Sequence, residues 1–213
     1  MRTLDQVARH YRRIAPAYAL LSRLRVWPPG FRPRVVAALD LRAGERVLDL
    51  GCGTGAAWPL LQRAVGPEGL VVGVDYTPEM LRRAPRSGAS NAALVQADAA
   101  ALPLAGEFDA ALFCLSYFVI PDSMRALDAV WRLLRPGGCL VVADGKIPPG
   151  RGGLFPGRVI ERLIRSTSFA GLLRSESLPA LRRWLAARGA EVEWQEWFGG
   201  IFFLCRATKP SLG

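Results

Sequence analysis

The sequence predicts an α/β chain, a mostly parallel sheet with helices on both faces, and three observations predict it. Apolar runs at Val47 to Leu50 and, β-branched, at Leu70 to Asp75 read as strands buried on both faces, as parallel strands are. The first run passes directly into a glycine loop, Gly51 to Gly55, of the kind that lets a ligand approach the backbone at the end of a strand. Near the end of the chain, Glu191 to Trp197 alternates polar and apolar like a half-exposed antiparallel strand. Gly199 and Gly200 then turn it into a returning strand, Ile201 to Ala207.

The composition fits that class. A length of 213 residues is that of one domain with a full core, and 51% hydrophobic content suits a sheet covered on both faces. Cys52, Cys114, Cys139 and Cys205 are scattered without Cys-x-x-Cys spacing, which indicates reduced core thiols and neither a metal site nor a disulfide frame. The N-terminus lacks the apolar core of a signal peptide, and the longest apolar run, Ala110 to Ile120, is too short to span a bilayer. A cytoplasmic protein is expected.

Asp49 gives the glycine loop its meaning. In dinucleotide-binding folds such a loop receives a pyrophosphate at a helix N-terminus, and a carboxylate beside it would repel that anion. The loop also spells Gly-x-Gly-x-Gly and not Gly-x-Gly-x-x-Gly. A ligand carrying an amino group and a sulfonium would be welcomed there. The stretch VLDLGCGTG, Val47 to Gly55, resembles the first motif of the class I S-adenosylmethionine-dependent methyltransferases. That resemblance implies a Rossmann-like, seven-stranded, mostly parallel sheet closed by a C-terminal antiparallel hairpin. It also implies S-adenosylmethionine as cofactor, held by Asp49, Gly51, Cys52, Gly53, Thr54 and Gly55. An oxidoreductase reading conflicts with Asp49, and an inactive binding module would be expected to show a damaged first motif.

The later motifs follow in register. Asp75 closes the second strand and can accept both ribose hydroxyls, a position that NAD enzymes share. YTPEMLRRA resembles the segment that flanks the adenine, which implicates Tyr76 and Met80, with Pro78 starting a short helix. VQAD, Val95 to Asp98, resembles the segment whose carboxylate meets the adenine amine, and it brings Asp98 and Ala99 into the site. Phe108 to Asp122 resembles the fourth strand with its following loop, where Leu115 and Ser116 would touch the cofactor. LRPGG, Leu134 to Gly138, resembles the turn before the fifth strand.

Around this core, residues 47–144, the same reading places an N-terminal helical lid at 1–46, a substrate-side insert at 145–190 and a terminal hairpin at 191–213, all in one domain. Thr3 and Gln6 have the spacing of a capping box. Leu4, Val7, Ala8, Tyr11, Ile14 and Ala15 follow on one helical face, with Arg9, Arg12 and Arg13 on the other. Pro16 is expected to interrupt that helix, and Tyr18, Leu21 and Leu24 to resume its stripe. In the insert, Lys146 to Gly157 reads as irregular, Arg158 to Leu173 as helical, and Ser177 to Ala187 as a further helix beginning near Pro179.

Charge is segregated in the same way. Of the net +10, residues 1–46 carry +7, the cofactor half 47–144 carries −3, residues 145–190 carry +7 and the tail −1. The excess lies in the two segments expected to build the substrate side. An anionic membrane surface is therefore the expected partner, met by an amphipathic, Arg-rich helix that packs as a lid or lies in the lipid interface. No nucleic acid is expected.

YRRIAPAYALLSRL at 11–24 and FGGIFFLCRATKP at 198–210 resemble two groups within the class, the ubiquinone and menaquinone C-methyltransferases and the bacterial phospholipid and betaine-lipid N-methyltransferases. The quinone enzymes carry an Arg-Asn pair in the loop after the fourth strand, where this chain has Phe118 and Val119. SYFVIPD at 116–122 looks more like the amino-lipid enzymes. The resemblance thus implies N-methylation of a lipid amine headgroup, with C-methylation of a prenylated quinone precursor as the alternative and a small soluble acceptor third. For an amine acceptor, Tyr11, Tyr18 and Tyr117 are the expected acceptor-site residues, because a phenol can hold an amine and its ring can favour a developing ammonium. His10 as a base and Asp144 as an orienting group are weaker expectations.

Overall fold

The computed structural model describes residues 3–23, 30–84, 91–146 and 177–211. The helix expected at 158–173 and nearly all of the 146–157 segment lie outside the described residues. Helix α1 is Leu4–Arg23, α2 Phe31–Ala37, α3 Trp58–Val65, α4 Pro78–Leu81, α5 Ser123–Leu133 and α6 Ser177–Ala186. The strands are β1 Arg46–Leu50, β2 Leu70–Asp75, β3 Ala92–Gln96, β4 Phe108–Cys114, β5 Leu134–Gly145, β6 Glu191–Trp197 and β7 Phe202–Thr208. They form one seven-stranded sheet in the order β3-β2-β1-β4-β5-β7-β6. Strands β1 to β5 pair in parallel, and β7 runs antiparallel to both β5 and β6, as the alternating tail predicts.

Strand periodicity divides the core into two layers. Leu48, Leu50, Val72, Val74 and Phe113 pack with Leu127, Leu181 and Trp184 of α5 and α6. Val47, Val71, Ala110, Leu112 and Val141 pack on the other face with Phe31 and Val35 of α2 and Trp58 and Leu61 of α3. Asp49 shares its face with Val47, so it sits among α2 and α3 and not beside α5. Gly73 lies in mid-strand on that same face, where a Cβ would stand 2.3 Å from Trp58 Cζ2 and 2.9 Å from Cys52 Sγ. Only glycine lets the indole pack flat on β2.

Two expectations are corrected. Pro16 does not interrupt α1, which runs unbroken from Leu4 to Arg23. A proline there frees the carbonyl four residues earlier, and both Arg12 and Pro16 are exposed, so water can take the lost partner's place. LRPGG is not simply a turn before the fifth strand: β5 begins at Leu134, opposite Phe108, then shifts register before Cys139 pairs with Ala110. Gly137, at φ 74°, accommodates that irregularity. The capping box is present, with the Thr3 amide donating to Gln6 Oε1 at 3.0 Å and the Gln6 amide to Thr3 Oγ1 at 3.3 Å.

Candidate active site

The carboxyl ends of β1, β2 and β4 open under helix α1 onto a cleft. Its floor is the glycine loop. Gly51, at φ 64°, passes so close to the β4 loop that a Cβ there would stand 2.6 Å from Ser116 Cβ. Ser116 is held in place by donating its hydroxyl to the Leu50 carbonyl at 2.6 Å. Leu115, just before it, has φ 60°, a strained value for leucine, and its amide donates to the Ala143 carbonyl at 2.8 Å.

One wall is acidic. Asp75 accepts the Thr77 amide at 2.8 Å and the Gly53 amide at 2.9 Å, one on each carboxylate oxygen, which fixes its plane and leaves a second lone pair on each oxygen. Burial holds its carboxyl above the ordinary aspartate range while the two amides pull it down. Asp98 accepts the Ala100 amide at 2.9 Å. Tyr76, Met80 and Ala99 complete this side. The opposite wall is apolar: Val119, Ile120 and Pro121 of the β4 loop face Leu4, Val7 and Ala8 of α1. Tyr11 and Tyr18 also come from α1. The helix is tied down by the Tyr76 hydroxyl donating to Asp5 at 3.2 Å and by Arg12 pairing with Glu79 at 3.4 Å.

A smaller chamber lies on the far side of the glycine loop. It is bordered by Asp49, Cys52, Thr54, Arg32 and Cys114, and shares Gly51, Gly53 and Tyr18 with the main cleft. Asp49 is 3% exposed, and burial raises its carboxyl to about 7, with Asp75 adding to the rise and Arg32 opposing it. Burial likewise pushes the Tyr18 phenol to about 12, against the pull of Arg32. Tyr18 therefore remains a neutral donor at physiological pH.

Most of the expected site residues converge here, in these two chambers. Gly55 borders neither, but its amide closes the loop by donating to the Cys52 carbonyl at 2.9 Å. Tyr117 is a correction. It is completely buried in the α5-side core, packed edge-on to Phe113 at 6.1 Å and against Phe118 at 5.4 Å, with its hydroxyl 3.7 Å from Met124 Sδ. It borders neither chamber, because the loop after β4 turns its Tyr-Phe pair inward and offers Val119 and Ile120 to the cleft. Asp144 also stays outside, accepting the Phe118 amide at 3.1 Å and the Gly145 amide at 2.8 Å. It straps the β4 loop to the end of β5. His10 is half-buried, edge-on to Tyr11 at 5.5 Å, and does not border the cleft. Thr77 and Arg32 were not anticipated. Nothing in the sequence separates Arg32 from the eight other arginines ahead of the first strand.

The donor set suits S-adenosylmethionine. Acidic side chains face where hydroxyls and amines would sit, and Gly53, whose missing Cβ would meet nothing nearer than the Gly51 carbonyl at 4.0 Å, leaves backbone bare for a ligand. Residues 47–138 match the family model described as a methyltransferase domain. The motifs read along the chain and this fold are those of the class I S-adenosylmethionine-dependent methyltransferases, the class the chain resembles. It is 41% identical over 144 residues to a demethylmenaquinone methyltransferase from Thermus thermophilus, a match covering 64% of each chain. It is 34% identical over 153 residues to the demethylmenaquinone methyltransferase of Staphylococcus aureus, covering 68% of this chain and 62% of that one. The matched stretch thus spans less than two thirds of either relative. A solved S-adenosylmethionine-dependent methyltransferase from Aquifex aeolicus shares the fold, with a TM-score of 0.65 at 21% identity over 87% of this chain and 95% of that one.

Proposed function

We propose that this chain transfers a methyl group from S-adenosylmethionine to a lipophilic acceptor, and that the acceptor is a ring carbon of a demethylated prenylquinol. The observation that carries the reading is the division of the cleft into an acidic wall suited to a nucleoside and an apolar wall suited to an aromatic, lipophilic ring. The two demethylmenaquinone methyltransferases among the relatives support the quinone over the amine headgroup. The amine reading also loses an aromatic wall, since Tyr117 lies in the core.

When bound, S-adenosylmethionine supplies an electrophilic methyl group on a sulfonium. Asp75 would hold the ribose hydroxyls, Asp98 the adenine amine, and Tyr76 and Met80 the faces of the base. Helix α1 excludes water above the cleft, which sharpens every polar contact beneath it. A quinol carbon becomes nucleophilic as its neighbouring hydroxyl gives up a proton. Tyr11 can orient that hydroxyl, and the neutral Tyr18 phenol does not take the proton. Phe118 and Val119 stand where the quinone enzymes carry Arg-Asn, and Phe118 is itself buried in the core, so neither side chain can take that proton here.

Among the described residues no helix is long and apolar enough to cross a membrane. A prenylated acceptor resides in lipid, and the exposed Arg9, Arg12 and Arg13 on α1 favour peripheral contact with an anionic surface. The deciding experiment supplies labelled methyl donor with demethylmenaquinol, phosphatidylethanolamine and soluble amines. Label is expected in the quinol; label in phosphatidylethanolamine would restore the amine reading.

A further inference from the structure

Three large apolar side chains stand exposed among the described residues: Leu20 at 57%, Phe198 at 51% and Val192 at 43%. Two of them lie at one end of the molecule. Strand β7 runs antiparallel to both β5 and β6, so β6 points the same way as the parallel strands, and its last residue, Trp197, reaches the end of the sheet where the cleft opens. Phe198 follows it at the tip of the hairpin. Leu20 stands on the outer face of α1, the helix over the cleft, in a row with Arg9, Arg13 and Ala17, all exposed at helical spacing. Val192 sits near the start of β6, at the opposite end.

Phe198 also has an unfavourable backbone. Its φ is 54°, in the left-handed region that bulky side chains avoid, and it heads three consecutive left-handed residues, with Gly199 at 64° and Gly200 at 84°. It is the one of the three that carries a side chain. Strain of this kind collects where a side chain is held out for a task. Phe202 meets its ring edge-on at 6.0 Å, and beneath them the buried Phe31 packs on Phe202 at 5.2 Å and on Trp197 at 5.8 Å. The exposed Arg34 lies over Trp197 at 5.3 Å. Glu196, the acid nearest the tip along β6, is paired with Lys146 at 2.5 Å.

We propose that Phe198 and Leu20 enter the headgroup boundary of an anionic bilayer, with Arg9, Arg13 and Arg34 against its phosphates, so that the mouth of the cleft faces the membrane. An interface that is apolar within and anionic at its rim matches protruding apolar tips backed by arginines. A protein partner matches them less well. At about half exposure each, the two side chains offer on the order of 200 Å² of apolar surface, against the roughly 800 Å² per partner of a stable protein contact. The inference rests on the lipophilic-acceptor reading and deepens it: an acceptor whose tail stays in lipid can lower its ring into the cleft without leaving the bilayer. The basic face of α1 supplies attraction, and the hairpin tip fixes depth and orientation.

The test uses vesicles and needs no turnover. Phe198→Cys and Val192→Cys, each coupled to an environment-sensitive fluorophore, are mixed with vesicles of phosphatidylglycerol and phosphatidylcholine or of phosphatidylcholine alone. The four native thiols are buried or half-buried, which favours labelling of the new one. The label at 198 should brighten on the anionic vesicles, and the label at 192 should not change. In sedimentation, Phe198→Asn, whose side chain tolerates a left-handed backbone, should bind anionic vesicles about fivefold or more weakly than the parent, with Tm and S-adenosylhomocysteine affinity unchanged. Phe198→Trp should bind as the parent does. A silent label at 198, or Phe198→Asn sedimenting like the parent, would overturn the proposal. So would a parent that is dimeric without vesicles and becomes monomeric on Phe198→Asn, which would make the tip a contact between copies. The acceptor reading fails by a separate result, methyl label in a soluble amine and in no quinol, which leaves the vesicle measurements standing.

Discussion

Asp75 accepts the backbone amide of Gly53 at 2.9 Å, so the acid that ends the second strand is fastened to the glycine loop that ends the first. The same carboxylate accepts Thr77 at 2.8 Å, which starts the short helix carrying Met80. One side chain thus sets the relative position of the loop and the adenine side of the cleft. Asp98 makes one such bond, to its own turn.

Asp75→Ala should therefore weaken S-adenosylmethionine binding by tenfold or more, and Asp98→Ala by less. Each charge-assisted hydrogen bond is worth about 1.5–3 kcal/mol, and Asp75 can offer two to a ribose. Because Asp75 also anchors the loop, its removal should lower Tm, whereas Asp98→Ala should leave Tm closer to the starting value. Calorimetry and thermal melts on both variants check this; an Asp75→Ala protein with full affinity would remove the assignment of the acidic wall.

Gly51→Ala should abolish cofactor binding at a stability loss larger than backbone strain alone explains. The new Cβ would stand 2.6 Å from Ser116 Cβ, and Ser116 cannot retreat while its hydroxyl holds the Leu50 carbonyl. Gly44→Ala is the control. Its φ is +88° but nothing lies within 4 Å, so it should lose only the roughly 1–2 kcal/mol of a left-handed backbone. Equal Tm shifts in the two variants would show that the close approach is relieved at no expense.

The cofactor half was legible because its chemistry lies in contiguous motifs: a strand, its loop and its terminal acid read directly as β1, the glycine loop and Asp75. Tyr117 was misread because the eight-residue loop between β4 and α5 does not reveal which of its side chains turn inward. Its neighbour Val119 faces the cleft, while Tyr117 joins Phe113 and Phe118 in the core. Arg32 was invisible for a different reason. Its place opposite Asp49 is made by α2 packing across β1, a tertiary relation with no local signature. Pro16 was read by propensity alone, which an exposed face of a long, packed helix overrides.

Tyr117→Phe should leave both stability and turnover close to those of the parent, losing less than about 1 kcal/mol for a long contact to a weak sulfur acceptor. Tyr117→Ala opens a large cavity beside Phe113 and Phe118 and should cost about 3–5 kcal/mol. Denaturant titration separates the two. A Tyr117→Phe protein that melts normally yet turns over poorly would return this phenol to the active site.

Arg9→Gln with Arg13→Gln should reduce sedimentation with anionic vesicles while leaving cofactor affinity unchanged. Both side chains are exposed on α1, and each arginine near an anionic surface contributes about 1 kcal/mol. Arg12 is left in place because its pairing with Glu79 helps hold the lid. The association of the parent should weaken steeply with salt. Equal binding to neutral and anionic vesicles would leave the basic face of α1 without a lipid role.

Asp49 makes cofactor binding depend on pH. Its folded carboxyl titrates at about 7, raised from the ordinary 3.8, so the folded chain holds more protons than the unfolded chain between those values. Stability of the cofactor-free protein should accordingly fall as pH rises through that window, and Asp144, also raised to about 7 by burial, adds to the fall. A ligand ammonium reverses the preference at Asp49 by favouring its charged form. Affinity for S-adenosylhomocysteine should then climb from pH 6 toward neutrality as the carboxyl ionises. It should decline again only well above neutrality, where the ligand's own ammonium, stabilised by its neighbouring carboxylate, loses its proton. Calorimetry in two buffers of different ionisation heat should record proton release on binding at pH 6, and Asp49→Asn should remove both that release and the rising limb. An affinity flat between pH 6 and 8, with no proton released, would place the ligand's amino group away from Asp49.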